Sequence, residues 1–384
     1  MLFRSAPVPK GPGIETSKEF LSAAADIAEQ PDQAVIKLEK LEKMDRRNCV
    51  VTLYHSAACD GVARKEFEDG GSEAPDESVG KPFDDKNDLM REALRIPDAE
   101  STLLKWASTH KEVLDYLVEF AESRIVYADS WNEKLDRSNN PGSNGTMLDK
   151  ERDPFVLRPN YGPARGALLI AAKLDPISPK IQRLLAATEL VYAQGPSDYL
   201  AAHSRLSRAI SAILADKSDA EENADELFFC RQLRSTLAFR CADEERRAGE
   251  VNDETVKRMS EAVDDLAMCT TYLNFNSFPD NNFKRYHNLH DRLRAIVTLS
   301  EVEIDLKYSQ DCRTHLVSGL KALDRLVEHI ESSGMKDKVP KTDDLDTRLE
   351  RGCSRFLELD TATDARQNHG QDARTVVGTG LAGQ

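Results

Sequence analysis

Apolar residues recur at three- and four-residue steps along most of this chain, the spacing that gives an α-helix one buried stripe. The stripe is long and regular between Leu103 and Trp131. Asp, Asn and Ser stand as N-caps in the short turns of the second half. Because such short connections force consecutive helices to pack antiparallel, the pattern predicts stacked helical hairpins. Their helices are expected over 163–174, 179–194, 198–215, 223–247, 254–273, 283–308 and 311–333.

Near the N-terminus the pattern predicts two short helices, the first opened by a capping box of Thr16 and Glu19. The β-branched run that begins at Cys49 permits a strand, but its alanines and its place after two helices favour a third helix. Stretches rich in Gly, Pro and acidic residues interrupt the periodicity, and we predict loops, linkers or disorder for them.

The predicted organisation follows from these interruptions. The first half comprises a disordered N-terminus or short presequence (1–15), an N-terminal helical region (16–67), an acidic flexible linker (68–90) and a long helical segment (91–136). The second half comprises a loop (137–162), the helical array (163–335), a linker with a short helix (336–359) and a disordered tail (360–384).

Composition favours an all-α fold, because aromatic residues make up only 6% of the chain while helix formers such as Ala, Leu and Glu abound. Charged residues at 31% and apolar residues at 40% predict a soluble chain with a substantial interior. The formal net charge of -15 argues against broad, sequence-independent binding to nucleic acid or to an anionic membrane.

Cysteine usage and hydropathy predict where the protein resides. The seven cysteines are scattered and include no CxxC pair, which favours a reducing compartment. No apolar run approaches the roughly 20 residues needed to span a bilayer. We therefore predict a cytoplasmic protein. Arg4 and Lys10, with no acidic residue before Glu15, leave an organellar presequence and the mitochondrial matrix as the alternative.

One stretch, "ARGALLIAAKLDPISPK", carries a spacing typical of helix pairs that pack closely. Two small residues let a neighbouring helix approach, a large apolar residue fills the gap between them, and a proline ends the helix. Similar spacings follow along the chain. The residues concerned are Ala164, Leu168, Ala171 and Pro176, then Leu185 and Ala186, then Ala202, Leu206 and Ala209, and then Ala262, Leu266 and Cys269.

These positions resemble the tetratricopeptide (TPR) repeat over about residues 163–333. The aromatic positions of that family's first helix are absent, since Gln182 and Glu189 stand in their place. The resemblance implies a TPR-like α-solenoid of antiparallel hairpins, with a smaller helical N-terminal region. A plain helical bundle is the alternative.

No familiar catalytic pattern is present. The chain lacks GxSxG, GxxxxGK[ST] and HExxH, so we predict no catalytic residue and no cofactor. The pair His287 and His290 with Asp291 is more typical of a solvated helix face than of a metal site. The spacing of Cys49, His55 and Cys59 matches no familiar zinc motif, so no metal is expected.

In tetratricopeptide arrays the first helix of each unit lines the concave surface, so the resemblance implies a partner-binding face here. Its cationic residues are Arg183, Arg231, Arg234, Arg240, Lys284, Arg285, Arg292 and Arg294. The aromatic residues interleaved with them are Phe228, Phe229, Phe239, Phe283 and Tyr286. Such a face attracts an acidic peptide or, alternatively, single-stranded RNA. Ion pairs with Asp and Glu of adjacent helices are the structural interpretation of the same arginines.

The function we predict is a non-enzymatic scaffold or adaptor that binds a protein partner through the array. An RNA-binding or structural subunit of an RNA-processing complex, in an organelle, is the alternative.

Overall fold

The computed structural model of the chain describes residues 14–69, 88–122, 124–125, 154–216, 220–275, 281–307, 309–335 and 345–357. Every regular element within these ranges is helical, which confirms the all-α prediction. Several sequence predictions fall on residues outside these ranges: the N-terminal presequence, most of the acidic linker, the part of the loop before α7, and the C-terminal tail.

The helices form two compact units. The N-terminal unit contains α1 Lys18–Asp26, α2 Pro31–Met44, α3 Cys49–Asp69, α4 88–95, α5 Ala99–Ala107, α6 112–122, α7 Pro154–Leu174 and α8 Pro179–Tyr192. The C-terminal unit contains α9 Pro196–Ala215, α10 Ala220–Ala248, α11 Asp253–Phe275, α12 Asn281–Asp305, α13 Ser309–Ser332 and α14 345–357.

The N-terminal unit differs from the sequence predictions at two helix starts. The first helix is capped by Ser17, whose hydroxyl accepts a hydrogen bond from Phe20 N at 3.1 Å, and not by the predicted Thr16, which lies in a short 3₁₀ turn. Helix α7 begins at Pro154, inside the predicted loop, because a proline fits the first turn of a helix and the buried Tyr161 anchors the helix further along.

The segment predicted as one long helix over 91–136 is divided in the described residues into α4, α5 and α6. The first break spans residues 96–98, where Asp98 has a left-handed φ of 64°. That backbone conformation ends a right-handed helix, and the apolar spacing of the segment does not reveal it. The β-branched run at Cys49 belongs to α3, as predicted for a helix.

In the C-terminal unit each helix from α9 to α13 packs against the next one along the chain. Met259 and Leu266 on α11 pack against Leu299 on α12, and Leu293 and Leu316 join α12 to α13. The short α14 adds Leu345, Leu349 and Phe356 to the same α12–α13 core. Gly319 on α13 lets α14 approach, because a Cβ there would lie 3.0 Å from Leu349 Cδ1.

The residues predicted to pack the repeat are buried, with the exception of Pro176, which is exposed. The helices α9 to α13 are 20 to 29 residues long. One hairpin of this unit therefore occupies more than the ~34 residues of a tetratricopeptide unit. The small-large-small spacing marks buried helix faces, and the architecture is that of long consecutive hairpins.

The cysteines are free thiols, and six of the seven are buried, with Cys353 half-buried. Burial raises the pKa of Cys241, Cys269 and Cys312 to about 12, so these thiols stay protonated at neutral pH. Among the described helices, none combines the length and the apolarity that crossing a membrane requires.

Candidate functional site

A polar cleft opens between α11, α12 and α13 in the C-terminal unit. It has a volume of about 370 Å³. Its lining combines two arginines, one histidine, four neutral polar residues, two leucines and one glutamate. The lining residues are Thr270, Leu273, Asn274, Arg285, Asn288, Leu289, Arg325, Glu328, His329 and Ser332.

Helical spacing brings these side chains to one place. On α12 Arg285 precedes Asn288 by three residues, and on α13 Arg325 precedes His329 by four. Residues three or four apart share one face of a helix, so each helix presents a pair of polar groups to the cleft. The cleft is thus built from two facing helices, closed on a third side by the C-terminal part of α11.

The inner wall of the cleft holds an unsatisfied hydrogen-bond donor. Asn288 is fully buried, and its Oδ1 lies 2.5 Å from the Thr270 hydroxyl. That hydroxyl has one proton, and its other contact, to Leu266 O, is longer at 2.8 Å, so the proton goes to the amide oxygen. The Asn288 Nδ2 atom is then buried with no partner among the described residues. An unmade hydrogen bond of this kind costs about 1–3 kcal/mol.

Three guanidinium groups stand in or beside the cleft without forming an ion pair to any described carboxylate. Arg285 donates to Asn274 Oδ1, a neutral acceptor, and Arg325 is exposed on α13. Arg292 lies one turn beyond Asn288 on α12, and its buried Nε has no described partner. Burial lowers the pKa of Arg292, and the positive charge of Arg325 lowers it further. The negative charge of Asp264 on α11 raises this pKa, so Arg292 experiences repulsion from Arg325 and attraction from Asp264.

The remaining charged and titratable groups of the cleft lie on α13. His329 Nε2 donates to Asn282 O at 3.0 Å. Glu328 is exposed on the same helix and is the carboxylate among the lining residues. Arginines outnumber carboxylates in this lining, in a protein whose net charge is -15.

Four other arginines of the predicted partner-binding face form ion pairs. In the N-terminal unit Arg183 lies 3.8 Å from Glu122. In the C-terminal unit Asp265 receives Arg234 through two hydrogen bonds of 2.7 and 2.8 Å, with Arg231 at 3.7 Å. Arg294 lies 3.7 Å from Asp243 and 5.6 Å above the Phe239 ring. These four fit the ion-pair interpretation.

The other predicted face residues are distributed differently. Arg285 lines the cleft, Arg292 lies beside it, and the half-buried Lys284 is outside the lining. Arg240 lies near Tyr199 of α9: burial raises the pKa of Tyr199, and the positive charge of Arg240 opposes that rise. Of the aromatic residues, Phe228, Phe239 and Tyr286 are buried, and Phe229 is 44% exposed. The side chain of Phe283 lies outside the described part. Buried rings offer no platform on which nucleic-acid bases stack.

A second polar cluster lies inside the C-terminal unit and is held together by ion pairs between its helices. Glu245 on α10 accepts from Arg258 at 2.5 Å, from Thr255 at 2.7 Å and from Cys241 at 3.4 Å. Asp265 holds Arg231 and Arg234, although burial of its carboxylate outweighs them and raises its pKa. Glu301 on α12 binds Arg246 at 2.5 Å and Arg348 of α14 at 2.7 Å.

The pKa values of two histidines in the C-terminal unit are shifted in opposite directions. His203 on α9 is buried near Arg234 and Arg258, and burial with these two charges lowers its pKa to about 4. His315 on α13 lies 2.9 Å from the buried Glu303, and that hydrogen bond raises its pKa. His203 is therefore neutral in the folded protein at pH 7, and protonated His315 is stabilised by Glu303.

The histidines considered as metal ligands have other contacts. His290 Nδ1 lies 3.7 Å from Asp291, and His55 Nδ1 lies 2.7 Å from Glu42 of α2. Within the described ranges, no three His, Cys, Asp or Glu side chains are arranged to hold a metal ion.

Asn288, Arg325 and His329 were not among the site residues predicted from the sequence. The sequence does contain polar pairs at four-residue spacing that could have indicated this face, Asn288 with Arg292 and Arg325 with His329. Such pairs are common on solvated helices, so spacing alone does not distinguish them.

The fold and the cleft together define an all-α protein with consecutive long hairpins and a cationic cleft in its C-terminal unit. No protein-family model matches the chain, and no curated protein is similar to it in sequence.

Proposed function

We propose that the chain is a non-enzymatic adaptor with a TPR-like helical array, and that it binds an acidic segment of a protein partner in the cleft between α11, α12 and α13. One observation carries this proposal: Arg285 and Arg325 in the lining form no ion pair with a described carboxylate, in a chain with 67 acidic and 52 basic residues. Arginines on such a surface ordinarily find carboxylate neighbours. A cluster of unpaired cations concentrates positive potential in the cleft and attracts anionic groups.

An acidic peptide suits the lining in two further respects. Carboxylates accept paired hydrogen bonds from guanidinium groups, and Arg285 and Arg325 lie on facing helices. Leu273 and Leu289 offer apolar surface next to these cations. A segment that combines acidic and apolar side chains satisfies both.

A protein partner is favoured over RNA for two reasons. The net charge of -15 repels a polyanion outside the cleft. Phe228, Phe239 and Tyr286, which would be needed as stacking platforms, are buried. We place the adaptor in the cytoplasm, because its thiols are free and buried.

The test measures peptide binding to the full chain by fluorescence polarisation at several salt concentrations. The probe is a labelled pool of short peptides drawn from Glu, Asp, Leu, Ser and Gly, with a pool in which Lys replaces the acidic residues as its counterpart. We expect the acidic pool to bind, with an affinity that falls as salt rises. The Arg325→Glu variant should bind at least about tenfold more weakly, an effect of ~1.4 kcal/mol.

Arg313→Glu is the matched control, since Arg313 is exposed on the same helix α13. It lies twelve residues before Arg325, about 18 Å along the helix. This control should bind like the unchanged chain. Equal binding of the two pools, or equal binding by both variants, would refute the proposal. Tighter binding of a single-stranded RNA than of the acidic pool would assign the cleft to RNA.

A further inference from the structure

We infer that the group received at the inner wall of the cleft is the phosphoryl group of a phosphorylated serine or threonine in the partner segment, so that phosphorylation switches binding on. This inference rests on the proposed function and specifies the ligand of the same cleft. It is carried by Asn288, whose buried amide donor lacks a described acceptor, together with the unpaired guanidinium groups around it.

Hydrogen-bond donors from α12 and α13 line the cleft. The Asn288 amide offers two N–H groups, of which none meets a described acceptor. Arg285 stands beside it on α12 and keeps donors beyond the one that Asn274 receives. Arg325 supplies guanidinium donors from α13 on the other side. An anion in the cleft is therefore met by donors from two helices.

A protein partner can present two kinds of anion to these donors, a carboxylate or a phosphoryl group. A carboxylate has one charge and two oxygens in a plane, so it is satisfied by donors from one side. A phosphoryl group carries about -1.5 to -2 charge at pH 7 and has three acceptor oxygens arranged around phosphorus. Donors on facing helices match the phosphoryl geometry better, because each oxygen can meet a different helix. Arginine is also well suited to bidentate phosphate contacts.

The charges around the cleft also favour a dianion over a single carboxylate. Arg292 and Arg325 repel each other, and Arg292 is partly desolvated. A dianion near them relieves this repulsion more than a single carboxylate does, since its charge is greater. Glu328 opposes an anion, but it is exposed, so water screens its charge. A volume of about 370 Å³ also holds a phosphorylated side chain with part of its backbone.

The experiment compares three labelled peptides of one acidic sequence whose central residue is serine, phosphoserine or glutamate. Binding to the full chain is measured by fluorescence polarisation, with inorganic phosphate as a competitor. We expect the phosphoserine peptide to bind at least about tenfold more tightly than the other two. Asn288→Asp, which replaces the donor with a negative charge in nearly the same shape, should remove that preference.

Two further variants keep the test decisive if the buried Asn288→Asp change impairs folding. Arg325→Gln alters an exposed residue and should reduce the preference for phosphoserine without unfolding the chain. Asn252→Asp is the matched control, because Asn252 caps α11 through its Oδ1 and Asp caps a helix equally well. Asn252 precedes Thr270 by 18 residues along α11, so this control should leave the preference unchanged.

The outcomes separate the inference from the proposed function. Equal, Arg325-dependent binding of all three peptides overturns the inference and leaves the acidic-segment adaptor intact. Failure of all three peptides to bind overturns both. Inorganic phosphate that binds as tightly as the phosphoserine peptide overturns the inference in favour of free phosphate as the ligand.

Discussion

The C-terminal unit contains two clusters of arginines that differ in what faces them. Inside the unit, Arg234 meets Asp265 and Arg258 meets Glu245, at distances of 2.5 to 2.8 Å. In the cleft, Arg285 and Arg325 meet no described carboxylate. The pairs in the interior join α10 to α11, so they specify how the helices pack. Cations without such partners contribute little to packing and are available to a ligand.

The largest expected effect tests the interior cluster. Asp265→Asn removes the shared counterion of Arg231 and Arg234 while keeping the shape of the side chain. Because two guanidinium groups are left half-buried and unpaired, the free energy of unfolding should fall by about 3 kcal/mol. Urea denaturation measures this change. Glu331→Gln, at an exposed position on α13, should change it by less than about 0.5 kcal/mol. Equal changes in both variants would contradict a structural role for the pair.

The next largest effect is a loss of folding stability in acid. Burial, together with the charges of Arg234 and Arg258, lowers the pKa of His203 to about 4 in the folded protein. In the unfolded chain a histidine has a pKa near 6.5, so between pH 4 and pH 6.5 the unfolded chain binds this proton more readily than the folded protein does. Stability therefore falls as pH falls through this window. At pH 5 the loss from His203 should be ~2 kcal/mol relative to pH 7. His203→Gln should lack that part of the loss when unfolding is measured at both pH values. An unchanged pH dependence in the variant would contradict the assignment.

A smaller effect of opposite sign is expected at His315. Its hydrogen bond to Glu303 raises its folded-state pKa, so this stabilisation is fully present below the unfolded pKa and is lost as pH rises through the folded value. The side chain is 27% exposed, and the contribution should be about 1 kcal/mol. Unfolding measured at pH 6 and pH 8 should show this loss in the unchanged chain and not in His315→Asn. The same loss in both would exclude His315 as its source.

The smallest effect tests the cleft. Arg325→Gln removes an exposed cation with no described counterion, so unfolding free energy should change by less than about 0.5 kcal/mol. A slight gain is expected where repulsion of Arg292 is relieved. Thermal and urea unfolding provide the measurement. A loss as large as that of Asp265→Asn would mean that Arg325 holds the fold together, and the distinction between the two clusters would disappear.

Much of the fold follows from the sequence because helical periodicity is a local property. The helix expected over 254–273 is Asp253–Phe275, and the others of the C-terminal unit lie close to their expected bounds. The grouping of α7 and α8 with the N-terminal helices was not expected, since the predicted array opened at residue 163. That grouping depends on contacts between residues far apart in sequence, which the spacing within one helix does not encode.

The cleft was only partly predictable for a related reason. Arg285 and Arg292 belonged to the predicted face, but Arg325 and Asn288 did not. Whether an arginine meets a carboxylate depends on how each helix is rotated about its axis relative to its neighbours. Arg231 and Arg292 look alike in sequence, yet Arg231 lies 3.7 Å from Asp265 while the charges of both Arg325 and Asp264 act on Arg292.

The buried thiols give the folded protein its own reporters of local opening. Cys49 and Cys59 lie in the N-terminal unit, while Cys230, Cys241, Cys269 and Cys312 lie in the C-terminal unit. A protected thiol reacts with an alkylating reagent only when the structure around it opens, so its labelling rate measures the free energy of that opening. Mass spectrometry of labelled peptides would then give the opening free energy of each unit separately, and would follow how ligand in the cleft stabilises the helices around Cys269.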